Sequence, residues 1–107
     1  MTQDPRYYYK GSRLKKLRAF CQIARLGSVS RAAEALFLSQ PAVSLQLGAL
    51  EKELGVRLFE RNGRRLNLSS QGQVLYDLAR PLIDGIDALD AEFHAHLRGL
   101  SGGQLDI

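Results

Sequence analysis

Residues 27–44 read GSVSRAAEALFLSQPAVS, and the fold is decided in this stretch. Ser28 or Ser30 can cap a short helix over roughly Arg31 to Leu36. Its Ala32, Ala33 and Ala35 are small enough to let another helix come close. Phe37-Leu38 leaves room only for a tight connection. Ser39 then caps a second helix with Pro41 in its first turn, where a missing N–H does no harm. That helix runs to about Leu54 and stops at Gly55. Val43, Leu47, Leu50 and Leu54 recur along it at i, i+4, i+7 and i+11, one narrow apolar stripe. Two helices so joined predict a helix-turn-helix.

Toward the N-terminus, Ser12 can cap a helix that ends near Leu26 at Gly27. Leu14, Leu17, Cys21 and Ala24 share one face of it, with Phe20 beside them. Residues 1–11 are polar apart from Tyr7-Tyr8-Tyr9, lack a helical period and read as a flexible arm. On the C-terminal side, the strand-like runs Arg57–Arg61 and Arg65–Leu68 flank Asn62-Gly63-Arg64, and Asn-Gly is a strong hairpin signal.

Ser69 or Ser70 caps a long last helix. Leu75, Leu78, Leu82, Ile86, Leu89, Phe93, Leu97 and Leu100 follow a repeated 3-4-4 spacing. An 11-residue period of this kind predicts a nearly straight or slightly right-handed stripe. From Ser70 to Leu97 the helix is roughly 42 Å long, at about 1.5 Å per residue. It cannot bury that stripe on so small a head, so a partner must cover it; Leu75, Leu78, Leu82, Ile86, Leu89 and Phe93 are the expected dimerisation residues. Ser101-Gly102-Gly103 reads as a hinge, and Gln104–Ile107 as a strand opening a further domain. The organisation is thus an arm (1–11), a mainly α winged helix-turn-helix of three helices and a two-stranded wing (12–69), a dimerisation helix (70–100), and a hinge with the start of an effector domain (101–107).

Charge divides the chain. Residues 1–75 hold 13 Lys and Arg against 5 Asp and Glu, a net of +8, whereas residues 76–107 hold 2 against 6, a net of −4. The front suits a polyanion; the back would be repelled by one. No apolar run reaches the roughly 18 residues of a membrane span, and the N-terminus lacks the apolar segment of a signal peptide. One cysteine, Cys21, allows no internal disulfide and fits a reducing compartment, so a cytoplasmic protein is expected.

The face opposite the third helix's stripe carries Gln40, Pro41, Ser44, Leu45, Gly48 and Ala49, slender and uncharged. A solubilising face more often carries Lys and Glu; entry into a major groove wants short side chains and an amide able to pair with adenine. Arg61, Arg64 and Arg65 cluster about the hairpin turn, where guanidinium groups suit the negative potential of a narrow minor groove. Ser28, Ser30, Arg31 and Ser39 stand at helix starts that favour a phosphate, and plain capping is compatible with that contact. Double-stranded DNA is the expected partner. Two other readings stay open on residues alone: a protein-interaction module with solubilising charges, and a winged helix binding nucleic acid without sequence preference.

Leu17-Arg18-Ala19-Phe20, Gly27 through Leu36, Leu38-Ser39-Gln40-Pro41-Ala42-Val43-Ser44, Leu50 through Arg61, and Leu68-Ser69-Ser70-Gln71-Gly72 together resemble the N-terminus of LysR-type transcriptional regulators. The resemblance covers about residues 13–107. It implies a homodimer or tetramer joined through the linker helices, promoter DNA as ligand, and a small-molecule effector bound by a C-terminal domain outside this chain. It assigns base contacts to Gln40, Pro41, Ser44 and Leu45 and a minor-groove contact to Arg64. Leu45 stands where the family often has arginine, which removes the commonest guanine contact. Gly48 stands where a polar or basic residue is common, at about 1 kcal/mol against alanine in a helix.

Other residues read blandly. Cys21 is expected to be a buried structural thiol. His94 and His96 lack metal-ligand spacing and companions. Asp84, Asp87 and Asp90 read as a solvated stripe that keeps the linker off DNA. With no nucleophile–base pair and no phosphate-cradling loop, neither catalysis nor a cofactor is expected.

Overall fold

The computed structural model describes residues 5–63 and 65–101, with side chains for 13–63 and 65–100. Four helices and a hairpin follow one another: α1 (Pro5–Leu26), α2 (Val29–Leu36), α3 (Gln40–Leu54), β1 (Phe59–Asn62), β2 (Arg65–Leu68) and α4 (Ser70–Ser101). The expected winged helix-turn-helix and long helix are both present.

Helix α1 starts at Pro5, not at Ser12. Proline is pre-organised for a first turn, and Gly11 is tolerated inside a helix at about 1 kcal/mol. Of the expected arm, residues 1–4 lie outside the described residues. The buried face of α1 is also rotated from the expected one. Lys16, Ala19, Phe20 and Ile23 are buried, at i, i+3, i+4 and i+7; of the expected face, Cys21 is buried, Leu17 and Ala24 pack against the core, and Leu14 is exposed.

Lys16 can sit on that face because Glu53 of α3 meets it. The Glu53 carboxylate accepts hydrogen bonds from the Lys16 ammonium and, at 3.0 Å, from Arg13 Nε. The hydrogen bond from Lys16 holds the Glu53 pKa below its usual value near 4.5; Arg13 adds to the effect and burial opposes it. A lowered folded pKa means the contribution is present above about pH 4.5 and fades as pH falls through the lower, folded value. Glu53→Gln should therefore lower the urea midpoint at neutral pH, and the gap to wild type should close in acid. An equal gap at both pH values would remove the ion pair from the account.

The core is centred on Phe20, Ile23, Val43, Leu50 and Leu58, all fully buried. The Phe20 ring lies 5.5 Å from Phe59 and 6.3 Å from Tyr76, which ties α1 to the hairpin and to α4. On α2, Ala32 and Ala33 are buried as expected, but Ala35 is exposed. On α3, Val43 and Leu50 are buried and Leu47 half-buried, whereas Leu54 is exposed.

The hairpin is shorter than expected and its turn is shifted. Pairing runs from Phe59↔Leu68 to Asn62↔Arg65. Arg57 and Leu58 lie outside it because other groups take their backbone. Leu58 N–H donates to Glu51 Oε2 at 2.8 Å, and Ser69 Oγ donates to the Arg57 carbonyl at 2.6 Å. Asn62 is in the ladder, paired with Arg65, and Gly63 follows it. Gly63 has φ +68°, the sign that both favoured hairpin turns require at their first central position.

Ser69, not Ser70, caps α4: its Oγ accepts from Gly72 N at 2.9 Å. Helix α4 then shows two distinct faces. Gly72, Ala79 and Ile83 are buried against the head, with Leu75 and Tyr76 packed beside them. Leu75 thus belongs to the head, and the exposed stripe starts at Leu78. Leu78, Leu82, Ile86, Leu89, Phe93, Leu97 and Leu100 all face outward. From Asp84 to Leu100 every residue is exposed.

Candidate nucleic-acid interface

Ser28 takes extended geometry and its Oγ accepts from Arg31 N at 3.1 Å, so α2 begins two residues earlier than expected. Ser30 lies beside it, the two hydroxyls 3.1 Å apart. Arg31 projects from the same turn and is exposed. Ser39 Oγ accepts from Ala42 N at 3.2 Å and starts α3. Both caps use the hydroxyl as acceptor, which leaves its proton able to donate to an anion.

Gln40, Pro41, Ser44, Leu45 and Gly48 are all exposed, Leu45 at 70%. Their spacing puts them on one side of α3, opposite the buried Val43 and Leu50. A Cβ built on Gly48 meets nothing within 4 Å, so no neighbour within the chain requires that glycine.

On the wing, Arg61 and Arg65 are exposed, but the register separates them. Arg61 pairs with Leu66 while Arg65 pairs with Asn62. Cross-strand partners share a face and neighbours along a strand alternate, so the two arginines emerge from opposite faces of the ribbon. Arg64 lies outside the described residues.

Sequence reasoning missed Phe37. It ends α2 in the left-handed region (φ 59°, ψ 42°) with its side chain 93% exposed. Such geometry costs a non-glycine residue about 1–2 kcal/mol. The Phe37 N–H bonds back toward Glu34 and the Leu38 N–H to Ala33 O. The available signal was a helix ending with no glycine or asparagine to stop it.

Cys21 is buried on α1, and burial, with Asp84 adding, pushes its thiol up to about 11. It is therefore protonated and unreactive at neutral pH, as a structural thiol should be. No helix among the described residues is long and apolar enough to cross a membrane.

Three helices, a two-stranded wing and a long trailing helix define a winged helix-turn-helix protein. Residues 14–73 match the model of the bacterial regulatory helix-turn-helix proteins of the lysR family. The chain belongs to that family. It is 42% identical over 98 residues to the HTH-type transcriptional activator CmpR of Synechocystis, covering 92% of this chain and 32% of that protein. It is also 42% identical to the RuBisCO operon transcriptional regulator of Allochromatium vinosum, over 88% of this chain and 31% of the other. The chain thus spans about a third of the length of these relatives. Among solved structures, the BenM DNA-binding domain in complex with catB site 1 DNA superimposes with a TM-score of 0.68 at 30% identity, over 85% of this chain and 97% of that one. The C206 mutant of Corynebacterium glutamicum OxyR gives 0.69 at 36% identity, over 80% of this chain and 26% of that one.

Proposed function

We propose that this chain is the DNA-reading head and linker of a transcription regulator that binds its promoter as a homodimer. The observation that carries this is the outer face of α3: Gln40, Pro41, Ser44 and Leu45 are exposed, and no residue from Gln40 to Ala49 is charged. That face enters the major groove. Gln40 reads a base edge through its amide, and Leu45 packs on thymine methyls in place of a guanine contact. Ser28, Ser30, Arg31 and Ser39 hold phosphates, and Arg61, Arg64 and Arg65 bring positive charge to the flanking minor groove.

The exposed stripe from Leu78 to Phe93 joins the two copies, and full-length protomers pair further into tetramers. Helix α4 contains Pro81 together with Gly72, Gly85 and Gly99, residues that oppose helix formation. Burial against a second copy offsets that cost. A small-molecule effector acts on a further domain, for which the relatives' greater length leaves room. The protein works in the bacterial nucleoid, and the module binds without catalysing a reaction.

Competition between promoter fragments and random duplex across a salt series tests the reading. Affinity should fall linearly on a log–log plot as phosphate contacts are screened, while a preference for the specific fragment persists at higher salt. Random duplex competing equally at every salt concentration would overturn sequence-specific recognition.

A further inference from the structure

Head and linker meet at a joint that packing alone does not fill. A cleft of about 340 Å³ separates α1 from α4, with Cys21, Tyr76, Arg80 and Ile83 in its walls. Among the described residues Ile83 is the last buried one of α4. Pro81 lies two residues before it, and proline inside a helix both removes a hydrogen bond and clashes with the carbonyl four residues back. Beyond this weakened point an ion pair still ties the helix to the head. Arg18 Nη1 of α1 donates to Asp87 Oδ1, and both side chains line the same cleft.

We propose that the Arg18–Asp87 pair is a positioning element that sets the angle between head and linker, and through it the spacing between half-sites that a dimer engages. This rests on the DNA-binding reading above. An exposed ion pair stabilises a fold little. Across an underpacked joint, however, its small energy acts on the angle, and one end of α4 swings through a large arc for a small rotation at the other.

The test uses duplexes recovered by selection from random DNA, with the spacer between half-sites then varied one base pair at a time. Arg18→Gln and Asp87→Asn should each flatten the spacing preference by roughly twofold to fivefold, the range open to an exposed pair. Affinity for a single half-site should stay unchanged. The exchange Arg18→Asp with Asp87→Arg should restore the preference. Unaltered spacing, or half-site affinity falling in step with it, overturns the proposal.

A second measurement works without DNA: the distance distribution between spin labels at Lys52→Cys and Glu92→Cys, in a Cys21→Ala background diluted with unlabelled protein. It should broaden in both single variants and narrow again in the exchange. A distribution identical in all four proteins overturns the proposal even if the wild type binds no duplex, an outcome that would separately sink the DNA-binding reading.

Discussion

Gly72→Ala is expected to destabilise the head by about 3 kcal/mol, the upper end of overpacking losses. A Cβ at this position would lie 2.0 Å from the Leu58 carbonyl oxygen and 3.0 Å from Leu68 Cδ2. The oxygen has little freedom to retreat, because it accepts the Ser69 N–H at 2.9 Å while the Leu58 N–H is held by Glu51. Any shift that admits the methyl group pulls the hairpin away from the start of α4. Equilibrium urea unfolding measures the effect. Gly48→Ala and Gly85→Ala supply the contrast: neither added Cβ meets an atom within 4 Å, so each should stabilise its helix by about 0.5–1 kcal/mol. If Gly72→Ala behaved like those two, the close approach of α4 to the hairpin would be wrong.

Leu89→Glu should abolish the dimer at concentrations where the wild type is fully associated. Leu89 is 61% exposed in the single chain, at the middle of the outward stripe. Burying a leucine contributes about 1.5–3 kcal/mol. In a two-fold symmetric interface each substitution acts twice, so the dissociation constant should rise by at least roughly 100-fold. Leu82→Glu should act similarly. Sedimentation velocity over a dilution series reports the outcome. Dimers that persist unchanged in both variants would place the seam elsewhere, whereas retained helicity in the monomeric form would show that the variants still fold.

Local signals account for most of what was legible in the sequence. Ser28, Ser39 and Gly55 act within four residues of themselves, so the helix-turn-helix could be placed from a short window. The outer face of α3 was equally readable, since helical spacing alone separates Gln40, Ser44 and Leu45 from Val43 and Leu50. What escaped depends on distant partners. Lys16 reads as a surface residue until Glu53, 37 positions away, turns out to meet it. The head-facing side of α4 escaped for another reason. Gly72 and Ala79 add little to an apolar stripe, so the larger exposed leucines dominated the pattern and drew Leu75 in with them. The first strand ran one residue further than the sequence suggested, because Asn62 pairs with Arg65 in the ladder and the positive φ falls on Gly63 after it.

The bareness of α4 beyond Ile83 has a dynamic consequence. In an isolated chain those amides are shielded mainly by the helix itself, since the described side chains from Asp84 to Leu100 are all exposed, and helical segments of this kind open on their own. Deuterium uptake should therefore be slow through Ala79 and Ile83 and rise sharply within the next turn. Raising the protein concentration should slow uptake from Asp84 onward while leaving the head unchanged, so that one stretch of backbone becomes a clock for the encounter of two molecules.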